Sequence, residues 1–280
     1  MSNHQQQLSL DQVMEGYRSV SKLYPHVPSL SMWRAWEYAA YKLVSLREPV
    51  LDVGCGDGQF FQLLFPSIKN VIGIDLDPAV VQRAKDSQVY RAVYNKSADN
   101  LQDLYGTAHS VFANCSIEHM DNLDKVLFNI NQCLVPNGEF LFSVVTDKFI
   151  EWNTLPSLGR LLGDSTQAKH IEEEFLSFHS LKNAFKIEKW QRIIREAGFD
   201  LVLTLPIVPE LTGKLFLFID SLWHLSTDDG EFGSDIYHYL VNLNNFPDSF
   251  GQIYDGILRA EQNFNVGCGA VFYARKAGAR

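Results

Sequence analysis

The chain has 280 residues, 46% of them hydrophobic and 20% charged, which is enough apolar material for a sizeable core and excludes a compositionally disordered protein. Lys and Arg number 24 against 33 Asp and Glu, a net charge of −9, so no overall field draws the chain to DNA, RNA or an anionic membrane. No nucleic-acid partner and no stable membrane insertion are expected. The longest apolar stretches are short, Leu215–Ile219 being closed by Asp220, whereas a bilayer span needs roughly 20 residues. The N-terminal Met1–Gln7 is polar and lacks the apolar core of a signal peptide. Cys55, Cys115, Cys133 and Cys268 form no CxxC pair and have no zinc spacing, so they read as free thiols of a cytoplasmic protein.

Taken in chain order, residues 1–47 read as an irregular helical cap, with aromatics clustered at Trp33, Trp36, Tyr38 and Tyr41 and breaks at Pro25 and Pro28. After Pro49 short apolar runs alternate with helix-like segments. Strands are expected at Val50–Val53, Val71–Ile74, Ser110–Ala113 and Phe140–Val145. Leu123, Val126, Leu127, Ile130 and Leu134 fall at the spacing of an amphipathic helix. A helix over about Glu188–Ala197 ends at Gly198, a strand follows at Phe199–Leu205, and Cys268–Ala274 closes the chain. Such alternation predicts βαβ units and a mainly parallel sheet covered on both faces. Two segments interrupt it, at about 147–186 and 206–266, so that residues 48–280 form one domain with insertions.

The strongest local signal is Leu51-Asp52-Val53-Gly54-Cys55-Gly56-Asp57-Gly58, a strand running into three alternate glycines, with a helix starting near Gln59. Glycine lets a ligand approach the backbone and lets the turn adopt positive φ. The spacing is GxGxG rather than the GxGxxG of dinucleotide-binding turns, which disfavours a nicotinamide-dependent oxidoreductase. About 20 residues on, Asp75 ends the next strand. A carboxylate there can accept from both hydroxyls of a ribose; the plainer role is to start a turn or cap a helix.

This segment resembles the class I S-adenosylmethionine-dependent methyltransferases, in particular the small-molecule group. The likeness runs from about Val50 to Val145 and resumes from Glu188 to Phe199. Three later motifs agree with it: Asn114-Cys115-Ser116-Ile117-Glu118-His119 after the fourth strand, Leu134-Val135-Pro136-Asn137-Gly138-Glu139 in place of an LxPGG turn, and Trp190–Phe199. The resemblance implies a doubly wound, mainly parallel, seven-stranded Rossmann-like α/β sheet with the helical N-terminal cap and an inserted lid. It implies S-adenosyl-L-methionine as cofactor and S-adenosyl-L-homocysteine as product. On the family pattern the cofactor residues are Asp52, Gly54, Cys55 and Gly56 of the turn, Asp75 for the ribose, Leu76 against the adenine, and Asn114 near the methyl group. The third-strand loop departs from the usual Gly-Asp-Ala: Lys96-Ser97-Ala98 aligns there, so either Ser97 beside Ala98 or the nearby Asp99 meets the adenine amino group. The usual Phe-Asp of the fourth strand is His109-Ser110.

Methyl transfer needs the nucleophile held in line, and positioning of that kind supplies on the order of 7–11 kcal/mol in the best model systems. A base is required only for a protonated acceptor. His119 is the candidate, with local packing as its alternative role. Glu118 next to it does not complete a metal site, since neighbours on a helix point about 100° apart, and no metal is expected. Arg34 suits a carboxylate of cofactor or substrate; a surface pair with Glu37 is its other reading. Tyr17 and Tyr24 close over the cofactor or simply pack. His179, His224 and His238 are scattered and read as structural or exposed. In the family such insertions roof the acceptor pocket, and the aromatic content of 206–266 implies a bulky, largely apolar acceptor of secondary metabolism; a homodimer interface or a small core of its own is the competing reading, and an amphipathic membrane contact through Leu215–Leu225 a third. The expected activity is methyl transfer to oxygen or nitrogen, with carbon a further option, of a small-molecule acceptor. The alternative is a catalytically silent binding protein of the same fold.

Overall fold

The computed structural model describes residues 8–227 and 230–278; Met1–Gln7 lies outside the described residues. The strands are β1 (Val50–Val53), β2 (Val71–Asp75), β3 (Ala92–Asn95), β4 (Ala108–Asn114), β5 (Leu134–Val145), β6 (Phe199–Ile207), the short β7 (Ser226–Thr227) and β8 (Gly230–Glu231), and β9 (Gly269–Lys276). Seven of them form one sheet in the order β3-β2-β1-β4-β5-β9-β6. Neighbours from β3 to β5 run parallel, and β9 returns antiparallel to β5. The chain divides into two compact units. The sheet unit takes Ala40–Thr146, Lys182–Leu205 and Gly269–Arg280, and the helical unit takes Met1–Ala39, Asp147–Leu181 and Pro206–Cys268.

In the sheet unit all four residues of β1 are buried, as are Phe140 to Val145 of β5. Unbroken apolar runs of this kind suit strands covered on both faces. The helix Leu123–Cys133 buries Leu123, Val126, Leu127 and Ile130 on one side, with the Asn122 side chain capping its start. Leu134 was expected to extend that helix; it opens β5 instead. The reason lies in the register, where Ala108 faces Leu134 but Ser110 already faces Glu139. The extra residues loop out, with Asn137 at φ 59° where the family motif has glycine. Asparagine is among the few side-chain residues that tolerate that region. The helix Ile187–Glu196 buries Trp190 and Ile194 and stops at Gly198, φ 85°. Asn131 Nδ2 donates to the carbonyls of Ala197 and Gly198 at 3.2 and 3.0 Å, satisfying the helix end. The core closes on stacked aromatics, Phe140–Phe142 at 4.4 Å and Phe142–Phe272 at 5.0 Å.

The helical unit begins with the helix Leu10–Val20, which Ser9 and Gln12 start with reciprocal side-chain-to-backbone bonds of 3.2 and 2.9 Å. Tyr17 is buried and donates to Pro247 O at 2.8 Å, with its ring 5.4 Å from Tyr254. It packs within this unit. Trp33, Phe149, Phe175 and Phe216 form an aromatic cluster. His179 and His224 are not scattered. They face the two oxygens of Asp220, at 3.0 and 3.9 Å, and Phe178 stacks on His224. No described helix is long and apolar enough to cross a membrane.

Candidate functional site

The carboxyl ends of β1 to β4 enclose a cleft of about 430 Å³. It lies where the strand order turns from β2-β1 to β4-β5, so that the loops after β1 and β4 diverge. Its lining comes mainly from four strand ends: Val53 and Gly54 after β1, Ile74 to Leu76 after β2, Lys96 to Asp99 after β3, and Cys115, Ser116 and His119 to Asn122 after β4.

The turn after β1 lies against β2. Gly54 N and Cys55 N both donate to Ile74 O, at 2.9 and 3.0 Å. Asp75 faces the turn, its Oδ2 accepting from Gly56 N at 3.2 Å and its Oδ1 from Asp77 N at 3.0 Å. A carboxylate has about four lone-pair sites, so two such bonds leave it able to accept more. Leu76 beside it is 71% exposed, an apolar side chain held at the rim. Lys96 N donates to Asp75 O at 2.9 Å, fixing the third loop against the second. Ser97, Ala98 and Asp99 all line the cleft, and Asp99 also faces Lys125 at 3.9 Å.

On the β4 side Cys115 adopts φ 44°. Its N–H is held by Ser143, at 3.0 Å to Oγ and 3.2 Å to the carbonyl. Ser116 Oγ donates to Val53 O at 2.8 Å, crossing from β4 to β1. Asn114 Oδ1 accepts from Tyr41 Oη at 3.0 Å and from Ser143 Oγ at 3.3 Å. In the short helix Ile117–His119, Glu118 is buried and His119 is exposed to the cleft. The two side chains diverge as the helical geometry requires. Among the described residues no three His, Cys, Asp or Glu gather at ligand spacing.

Of the residues expected from the sequence, the cleft brings together Gly54, Asp75, Leu76, Ser97, Ala98 and His119. Asp52 lies beneath the turn, 2% exposed, and burial raises its carboxyl to about 7. Cys55 turns its thiol inward, and burial raises that pKa well above the ordinary range. Arg34, in the helical unit, pairs with buried Glu37 at 2.5 Å. Sequence reasoning missed Tyr90, which donates to Asp52 Oδ2 at 2.7 Å, and the bridging role of Ser116. It also gave no structural account of His109-Ser110. There Ser110 Oγ is buried and accepts from Arg47 N at 2.8 Å, a scaffold contact.

The cleft offers a nucleoside-bearing group the spare acceptor capacity of Asp75; Gly56, on the turn beside it, is not part of the lining. A Cβ built on Gly56 meets nothing within 4 Å, so the glycine faces free space beside the Asp75 carboxylate rather than protein. A model of the methyltransferase domain matches residues 28–204. The chain belongs to the class I S-adenosylmethionine-dependent methyltransferases. The methyltransferase is 27% identical over 133 residues to a malonyl-[acyl-carrier protein] O-methyltransferase of Hamiltonella defensa, a match covering 48% of this chain. It spans 49%, about half, of the length of that curated relative. Its fold is similar to that of an S-adenosylmethionine-dependent methyltransferase from Thermotoga maritima, at TM-score 0.55 and 16% identity, over 93% of this chain and 97% of the other. It is also similar to phosphoethanolamine N-methyltransferase 2 of Haemonchus contortus, solved with phosphomonomethylethanolamine and S-adenosylhomocysteine. That likeness has a TM-score of 0.54 at 18% identity, over 95% of this chain and 58% of the other. At such identities the likeness is one of fold.

Proposed function

We propose that this methyltransferase binds S-adenosyl-L-methionine in the cleft at the ends of β1 to β4 and methylates a small, bulky, largely apolar acceptor, with oxygen as the accepting atom. The observation that carries the cofactor assignment is the Asp75 carboxylate, which lines the cleft with acceptor capacity to spare beside the glycine turn. When bound, S-adenosyl-L-methionine supplies a methyl group already activated on a sulfonium. The chain's residues then have to bind, orient and exclude water.

Asp75 accepts from the ribose hydroxyls, Leu76 covers one adenine face, and Ser97 with Ala98 borders its edge. Gly54, Cys55 and Gly56 supply backbone alongside the methionine part. Asp52 lies beneath them as a buried negative charge or its protonated form, and Asn114 sits near the reacting end. His119, which lines the cleft, is assigned as the base for a hydroxyl acceptor. The choice of oxygen is supported by the relative named as an O-methyltransferase. The apolar acceptor is suggested by the aromatic content of segment 206–266, whose rings suit an apolar ligand.

The test is calorimetric titration with S-adenosylhomocysteine, followed by a labelled-methyl assay over phenols, aromatic and alkyl carboxylic acids, amines and a malonyl thioester on a carrier protein. The proposal expects binding in the micromolar range and label in an oxygen acid or phenol. Label appearing only in amines would refute the assignment of oxygen. No binding to the folded protein would refute the cofactor site.

A further inference from the structure

The turn from Gly54 to Gly58 has few side chains with which to hold itself, and what lies beneath it is the ring of Tyr90. Tyr90 stands two residues before β3. A Cβ at Gly58 would lie 2.5 Å from Tyr90 Cε2, and one at Gly73 on β2 would lie 3.2 Å from Tyr90 Cδ1. The ring therefore fills the space that side chains at both glycines would need. Its hydroxyl donates to Asp52 Oδ2 at 2.7 Å and lies 3.1 Å from Cys55 O. One phenol thus ties the buried carboxylate of β1 to the backbone of the turn that follows it.

We propose that Tyr90 is a positioning residue for the cofactor turn, its ring setting the seat of Gly58 and its hydroxyl fixing Asp52 and the Cys55 carbonyl in the shape that receives the ligand. The inference rests on the cofactor site proposed above, and Tyr90 acts through the turn. The groups facing Asp52 are Tyr90, Asp75 from the end of β2, and the Cys55 thiol, with Asp57 acting on Tyr90 in turn. Burial keeps the phenol and the thiol protonated at neutral pH. The Asp52 carboxyl, raised by burial and the Asp75 charge and lowered by the Tyr90 hydrogen bond, changes charge near pH 7. Ionised Asp52 attracts the ammonium group of S-adenosylhomocysteine. Taking away the Tyr90 hydroxyl removes a donor to the ionised form, which moves its titration upward.

The test titrates S-adenosylhomocysteine into the full chain by calorimetry from pH 6 to 8.5. It uses the wild type, Tyr90→Phe, Tyr90→Leu, Asp52→Asn and the Tyr90→Phe/Asp52→Asn double variant, with thermal unfolding of each. At pH 7 Tyr90→Phe is expected to bind roughly 3- to 10-fold more weakly, the value of one hydrogen bond. The pH midpoint for binding should rise, so that the loss shrinks at pH 8.5. In the Asp52→Asn background the same substitution should change affinity little, and Tyr90→Leu should lose more than Tyr90→Phe. A loss in Tyr90→Phe that is the same at every pH and in both backgrounds would assign Tyr90 to stability alone and overturn the proposal. So would wild-type affinity in Tyr90→Phe. Failure of the folded wild type to bind at all would instead refute the cofactor site itself.

Discussion

Gly54 and Gly56 stand two residues apart in one turn, with φ of +72° and +57°, yet alanine at the two positions should do different damage. At position 54 the new Cβ would sit 2.4 Å from Ser116 Cβ and 3.0 Å from its Oγ. The loop after β4 would have to move, breaking the 2.8 Å bond from Ser116 Oγ to Val53 O. A left-handed alanine costs about 1–2 kcal/mol, overpacking about 1–3 kcal/mol and the lost hydrogen bond about 1 kcal/mol. The sum is roughly 3–6 kcal/mol against a domain stability of about 5–15 kcal/mol. At position 56 nothing lies within 4 Å, so only the backbone cost of about 1–2 kcal/mol remains. On the proposed cofactor site the methyl group would intrude on the ligand instead. An overpacking cost of about 1–3 kcal/mol, borne in the complex alone, weakens binding roughly 5- to 150-fold.

Thermal unfolding and S-adenosylhomocysteine calorimetry on the two variants separate these costs. Gly54→Ala should be severely destabilised. Gly56→Ala should unfold only a few degrees below the wild type while binding at least several-fold more weakly. Wild-type affinity in Gly56→Ala would refute the argument that its open face is the ligand's approach. Equal destabilisation of the two variants would refute the contact between Gly54 and Ser116 as the source of the difference.

Asp75→Ala removes the acceptor for two backbone amides and, on the proposed site, for the ribose, and S-adenosylhomocysteine affinity should fall about 10- to 100-fold for one or two charge-assisted bonds; a change under twofold by calorimetry would remove Asp75 from the site. Asp52, raised to about 7 from a usual 3.8, binds more protons folded than unfolded between those values. Its contribution to stability is therefore present at low pH, lost as pH rises through about 4 to 7 and flat above, a swing of a few kcal/mol. Asp52→Asn should flatten that part of the denaturant-measured stability profile; an unchanged profile would place the titration elsewhere. His119→Gln should slow labelled-methyl transfer while leaving S-adenosylhomocysteine affinity within about twofold, and an unchanged rate would assign His119 to the surface.

The sequence was most legible where geometry is local. The run Leu51–Gly58, the strand ending at Asp75 and the helix from Leu123 are each set by residues within a few positions, and each lies where the pattern puts it. The strand β3 was not, because only Val93 of its four residues is buried and an edge strand needs little apolar signature. Lengthening β5 back to Leu134 depends on register against β4, a long-range pairing that periodicity does not encode. The same holds for Tyr90. Gly58 and Gly73 stand on separate segments, and only their meeting over one ring shows why both lack side chains. The pair His179 and Asp220 lies 41 residues apart in the chain, so three histidines that read as isolated contained two that share a carboxylate.

Cys115 shows how the turn and the loop after β4 constrain one another. A non-glycine residue at φ 44° stores strain that survives only where neighbours over-determine it, and both the Ser143 hydroxyl and carbonyl hold its N–H. That kink delivers Ser116 against Gly54, so the strain at residue 115 and the missing side chain at residue 54 are two halves of one contact. Topology supplies the rest, because parallel strands in this order set the ends of β1 to β4 side by side and part the loops after β1 and β4. Cofactor recognition therefore leaves a dense signature of glycines and carboxylates at strand ends. Methyl transfer asks mainly for alignment of the acceptor, which many arrangements of apolar side chains can provide. The chemistry thus imposes no comparable motif on acceptor recognition, and this is the physical reason the sequence names its methyl donor more sharply than its acceptor.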